Sequence, residues 1–237
     1  MPYIKTKALI IGKKLHKEHD KNLLLLLEDG RKIEAKIRKA RDTSAKWGAI
    51  TEPVSCVEVD IYERAARFTI TGIDIVKFYG QSSYKLMVAQ EFICEVVDKT
   101  TPYSHPEEEL FGTAVKTLDA LETSDLGTTI AWFLFEILRI NGYPLHVDTC
   151  VSCGASIDTD ACFDLSTGSA VCRGCKTATS INFPYTAVQA VRKLECDEFK
   201  ADIPQKMAQG LIKLELRILT ARFDANLRTS LHVLSLC

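Results

Sequence analysis

The chain has 237 residues, of which 46% are hydrophobic and 26% charged, with a formal net charge of -1. These proportions exclude a disordered or fibrous polymer and give enough apolar surface for a globular core. The charge is uneven: residues 1–80 hold 16 Lys/Arg against 11 Asp/Glu, and the remainder holds 14 against 20, which directs any anionic partner to the N-terminal part.

The first 80 residues read as β. Residues 3–12 are rich in β-branched and aromatic side chains, and 23–27 are five leucines ending at Glu28-Asp29-Gly30, a strong turn signal. Beyond the turn, Ile33, Ala35 and Ile37 alternate with Lys32, Glu34 and Lys36, so a hairpin with one polar face is expected. Residues 54–62 alternate again, and 68–78 give a fifth strand with a possible bulge at Gly72. Five short strands suit a small closed barrel of the OB type, with a generic SH3-like barrel or open sheet as the alternative. The polar cluster Lys13, Lys14, His16, Lys17, His19 and Lys21 reads as a loop.

From residue 81 the period becomes helical. Leu86, Val88, Ala89, Phe92, Ile93, Val96 and Val97 form one stripe. Ser104-His105-Pro106 followed by Glu107, Glu108 and Glu109 predicts a second helix start, with acids facing the helix N-terminus. A third helix over 128–140 ends at Asn141-Gly142-Tyr143-Pro144, and two more follow from Pro184 and Pro204. The expected class is α+β: an N-terminal OB-fold β-barrel over 1–80, then a helical C-terminal domain over 81–237 with an inserted four-cysteine zinc ribbon at 146–183. The apolar run 130–135 meets Glu136 and Arg139 too soon for a membrane span, which needs about 20 apolar residues. With no secretory signal expected, a cytoplasmic protein with reduced thiols follows.

Nine cysteines in such a protein need a reason other than disulfides. Cys150-Val-Ser-Cys153-Gly and Cys172-Arg-Gly-Cys175 are two Cys-x-x-Cys pairs at zinc-ribbon spacing. A two-residue spacer lets both sulfurs of a pair reach one ion, and Gly154 and Gly174 stand where such turns favour positive φ. Four thiolates around Zn²⁺ make a closed, structural site. An iron–sulfur cluster, a redox dithiol and chance pairing are the competing readings. Arg173 and Lys176 are placed to offset the site's negative charge. Cys162 and His146 are left out because four ligands suffice. Cys56, Cys94 and Cys196 read as core fillers, and Cys237 has no assigned role.

Residues 31–47 carry seven cations against two acids. Arg31, Lys32, Lys36, Arg38, Lys39, Arg41 and Lys46 match a phosphate-binding surface, and Trp47 is a candidate base-stacking platform. The plainer reading makes the charges a solvated barrel face and Trp47 part of the core. No catalytic residues are expected. His16-Lys17-Glu18 has the His-x-Glu of zinc deaminases, but Thr149 and Val171, not Pro, precede the cysteine pairs. Triphosphate-binding and serine-hydrolase motifs are absent from the sequence.

Together these parts resemble the RecO family of bacterial DNA recombination and repair mediators. The resemblance rests on the helix ending Phe135-Glu136-Ile137-Leu138-Arg139-Ile140-Asn141-Gly142-Tyr143-Pro144-Leu145, on Cys150-Val-Ser-Cys153-Gly and Cys172-Arg173-Gly-Cys175 behind it, and on Lys36-Ile37-Arg38-Lys39-Ala40-Arg41 with Ser44 at the front. Ile37 stands where that family often has Gly. The resemblance implies an OB-fold, a helical domain with a zinc ribbon, and binding of single- and double-stranded DNA. It also implies strand annealing and work with RecR to load the RecA recombinase onto DNA coated by single-strand-binding protein, in the bacterial cytoplasm at the nucleoid, without enzymatic activity. A zinc-ribbon OB-fold RNA-binding or translation-related module is the alternative.

Overall fold

The computed structural model describes residues 3–16, 18–40, 47, 50–80 and 83–237. The chain packs as two compact units, Met1–Asp119 and Ala120–Cys237. In the first, β1 (Tyr3–His16), β2 (Asp20–Leu27), β3 (Lys32–Ile37), β4 (Ser55–Arg64) and β5 (Arg67–Phe78) close a barrel in the order β1-β2-β3-β5-β4. All pairings are antiparallel except β3 with β5, which touch in parallel at Ala35↔Phe68 and Lys36↔Thr69. The two-residue alternation decides which side chains point inward: Leu23, Leu25 and Leu27 from β2 meet Ile33, Ala35 and Ile37 from β3 in the core. Each leucine so buried contributes about 2 kcal/mol.

Gly30 makes the β2–β3 turn with φ +80, and a Cβ there would lie 1.9 Å from the Glu107 carbonyl oxygen, so both turn and close approach demand glycine. The bulge expected near Gly72 is present: Asp60 opposes Gly72, but Ile61 opposes Ile70, leaving Thr71 as the extra residue. The described part of the polar cluster expected as a loop (Lys13, Lys14, His16, His19 and Lys21) is instead the end of a hairpin. β1 runs through His16, β2 starts at Asp20, Lys13 pairs with Glu52, and Lys21 is buried against the Thr51 hydroxyl at 2.8 Å. Cross-strand backbone pairing overrides local polarity here.

Helix α1 (Tyr84–Thr100) is capped by the Ser83 side chain, which accepts from the Leu86 N–H. Its buried face includes Val88, Phe92, Ile93 and Val96, and it packs against β1. Helix α2 (Glu108–Ala120) starts later than expected. Ser104 is not its cap: it sits at φ 59, and its N–H donates to the Lys32 carbonyl at 2.9 Å. Glu108 and Glu109 occupy the first turn, where the helix dipole favours them.

The second unit contains α3 (Leu126–Ile140), α4 (Tyr185–Asp197), α5 (Gln205–Phe223) and α6 (Ser230–Leu236). Asp125 caps α3, whose 12 buried residues include Trp132 and Phe133. The α3 start (Gly127) lies against Ala208 at the α5 start. Tyr143, just past the α3 end, meets Phe223 at the α5 end edge-on at 5.8 Å, so the two helices run parallel. The short helix α6 was not expected from the sequence. Between α3 and α4 stands a three-stranded sheet, β7-β6-β8, of β6 (Ala161–Asp164), β7 (Ser169–Val171) and β8 (Ser180–Phe183). Buried Asp164 fastens its turns, accepting from the Ser166 N–H at 2.8 Å and hydroxyl at 2.6 Å and from the Thr179 hydroxyl at 3.0 Å. These donors, with Thr177, hold its carboxyl far below the usual range. The mixed α+β class expected from the sequence is what forms. No helix among the described residues is long and apolar enough to cross a membrane.

Candidate functional site

The turn after β7 and the chain entering the ribbon bring the two cysteine pairs together. Cys150 donates its N–H to the Ala155 carbonyl at 2.7 Å, and its own carbonyl accepts from the Gly154 N–H at 2.8 Å. Gly154 has φ +75, as this turn requires. Gly174 departs from expectation: it lies in the 3-10 turn Arg173–Cys175, closed by Cys175 N–H to the Cys172 carbonyl at 3.0 Å, and has no positive φ.

The four sulfurs of Cys150, Cys153, Cys172 and Cys175 lie within 4.8 Å of one another, with Cys153 Sγ and Cys172 Sγ 3.9 Å apart. A tetrahedron with metal–sulfur bonds of about 2.3 Å has sulfur–sulfur edges of about 3.8 Å, whereas a disulfide would need about 2 Å. The Cys150 thiol is lowered to about 6, chiefly by the Cys172 backbone N–H and further by those of Cys153 and Ser152, against the opposing effect of burial. Cys175, facing the sulfurs of Cys172, Cys153 and Cys150, is pushed up to about 12. Four thiolates cannot share this space without a cation, so the donor set fits a divalent metal. Bound there, the ion supplies a cross-link between two turns and leaves no coordination position open to substrate.

Among the described residues, this is the one His/Cys/Asp/Glu group with metal-binding geometry. Cys162 is instead buried in β6 opposite Val171, and His146 forms a bridge to Ser169. Arg173, expected to offset the sulfur charge, pairs with Asp160 at 2.9 Å. The other oxygen of Asp160 accepts from the Tyr185 N–H at the start of α4, also at 2.9 Å. Arg192 of α4 reaches back to Asp148 at 2.7 Å and to the Ile157 carbonyl at 3.2 Å. Both flanks of the cluster are thus tied to one helix. Cys56 and Cys94 are buried as expected, and burial pushes the Cys94 thiol up to about 12, but Cys196 is exposed and no core filler.

The cationic stretch is divided by its surroundings. Lys32 shares the outer face of β3 with Lys36 but is only 4% exposed: its ammonium pairs with Asp98 at 3.2 Å and lies 4.5 Å over the Tyr103 ring. An exposed Lys32 was the expectation, and the packing of the α1 end corrects it. Arg31 pairs with Asp29 at 2.7 Å, and Lys36 with Asp20 at 2.8 Å. The Asp20 carboxyl is held low by Lys36 and by the Lys39 N–H. Arg38 and Lys39 are exposed at the end of the strand. Trp47 is partly buried against the barrel core. Arg41 and Lys46 lie outside the described residues, as does Lys17 of the His-x-Glu motif.

A five-stranded barrel in one unit and a helical second unit carrying a four-cysteine cluster define a two-unit α+β protein. Residues 81–229 match the family model described as Recombination protein O C terminal. The chain belongs to the RecO family. It is 31% identical over 182 residues to the DNA repair protein RecO of Pelobacter propionicus, covering 73% of this chain and 70% of the relative. The DNA repair protein RecO of Dehalococcoides mccartyi is 25% identical over 229 residues, 94% of this chain and 89% of the relative. That of Myxococcus xanthus is 26% identical over 216 residues, 87% and 88% respectively.

Proposed function

We propose that this chain is a DNA-binding mediator of DNA repair and homologous recombination that holds one structural Zn²⁺ and catalyses no reaction. Its membership of a family whose relatives are named DNA repair proteins carries the reading. The strand order β1-β2-β3-β5-β4, closed by β1 against β4, supports an OB-fold for 1–80, and the four-sulfur cluster supports a zinc ribbon at 146–183 within the helical remainder. On this reading Arg38 and Lys39, with Arg41 and Lys46, take the phosphates of single- or double-stranded DNA. The paired Arg31 and Lys36, the buried Lys32 and the core-facing Trp47 shape that surface from behind. The chain then anneals complementary strands and, with RecR, helps load RecA onto DNA coated by single-strand-binding protein in the bacterial cytoplasm.

The test is annealing of complementary oligonucleotides precoated with single-strand-binding protein. The chain should accelerate it, and Arg38→Ala/Lys39→Ala should slow it and flatten its salt dependence, because each lost phosphate contact releases fewer counterions. Absence of annealing, with tighter binding to RNA than to DNA, would favour an RNA-binding module instead.

A further inference from the structure

The second unit segregates its charge. Residues 120–204 hold 6 Lys/Arg against 11 Asp/Glu, while 205–237 hold 5 against 2. One of those two acids, Glu215, is fully buried, so the exposed face of α5 carries Lys206, Lys213, Arg217 and Arg222 and no acid. Lys206, Lys213 and Arg217 follow one another on that face, and among the described residues none of the three has a carboxylate partner. Lys213 and Arg217 are one turn apart, about 6 Å along the axis. Arg222, five residues further and turned away from that row, is held in place over the Tyr143 ring at 5.0 Å and by the Ser166 carbonyl at 2.7 Å.

Lys213, Arg217 and Arg222 border an open groove of about 750 Å³ floored by Leu165, Leu216 and Leu234. Three cations spread along one groove suit a linear polyanion rather than a single carboxylate. An aliphatic floor offers apolar contact to the faces of unstacked bases, which a duplex hides. We infer that the α5 face and its groove form a second nucleic-acid surface, separate from the barrel's, that binds single-stranded DNA through its phosphates and bases. This rests on the DNA-binding reading above, and it gives a mediator that anneals strands a contact surface on each unit.

The experiment measures binding of labelled oligo(dT), a duplex and a polyglutamate peptide across a salt series, for the wild-type chain, Lys213→Ala/Arg217→Ala and Lys213→Arg/Arg217→Lys. Both positions are exposed, and alanine keeps the helix. The double alanine variant should bind oligo(dT) about tenfold more weakly, with a salt slope flatter by about 1.4 for two lost contacts. The charge-conserving variant should bind like wild type. Unchanged oligo(dT) binding by the alanine variant overturns the inference while the barrel's role stands. Equal weakening for the duplex overturns the single-strand assignment, and loss of polyglutamate binding alone assigns the groove to an acidic peptide instead. Failure of the wild-type chain to bind any DNA overturns the reading on which the inference rests.

Discussion

Glu215 lies midway along α5, fully buried, and neither carboxyl oxygen has a hydrogen-bond partner. Ala208 beside Gly127 and Phe223 beside Tyr143 fix the register of the parallel pair, so Glu215 falls level with the apolar middle of α3. Burial raises its carboxyl well above the ordinary range. The native state therefore keeps a proton that the unfolded chain releases above about pH 4.5, and stability falls as pH rises toward the raised native value. Glu215→Leu should be more stable than wild type at neutral pH by about 1–3 kcal/mol, the usual cost of a buried polar group without partners. The gain should grow as pH rises from about 4.5 toward the raised native value. Urea denaturation of both proteins across that range checks this, since contributions from the cysteine cluster cancel in the difference. A gain independent of pH would mean that Glu215 does not titrate there. Nothing in the sequence marked this residue, because a lone Glu in a helix reads as solvated until the packing of α3 is known.

The meeting of the four cysteines was the most legible feature, because a Cys-x-x-Cys turn is local and its spacing alone brings two sulfurs to one place. Gly154 also followed from the sequence, whereas Gly174 did not, since the second turn is 3-10 and needs no left-handed residue. What the sequence hid was the attachment of the cluster to α4. Asp160 and Asp148 meet Arg173, Tyr185 and Arg192 only in the folded unit. Apparent zinc-binding free energies of about 10 kcal/mol or more rival the whole stability of a domain. Cys150→Ser should therefore release the ion and loosen both the ribbon and the first turn of α4. Hydrogen exchange should quicken at 146–183 and around Tyr185 and stay unchanged in β1–β5. A variant with wild-type zinc content and an unaltered melting curve would contradict the structural role of the site.

Across the molecule, the change of hydrophobic period at residue 80 and the packing division after Asp119 fall at different places. Periodicity reports which element forms locally; it does not report against what a helix buries its face. Helices α1 and α2 belong with the barrel through several long-range contacts. Lys32 finds Asp98 66 positions away. The Tyr79 carbonyl accepts from Gln90 at 2.7 Å, and its hydroxyl donates to Asp119 at 3.0 Å. Leu9 and its partner Cys56, on the outer side of the barrel where α1 packs, are buried. A fragment of residues 1–80 would expose that apolar surface, at about 2 kcal/mol for Leu9 alone, and would strip Lys32 of its carboxylate. A fragment of residues 1–119 keeps all of these contacts. The longer fragment should unfold cooperatively in urea, and the shorter should have lost most of its stability, since a small barrel has little to spare. Equal urea midpoints for the two fragments would make the helices bystanders and return the boundary to residue 80.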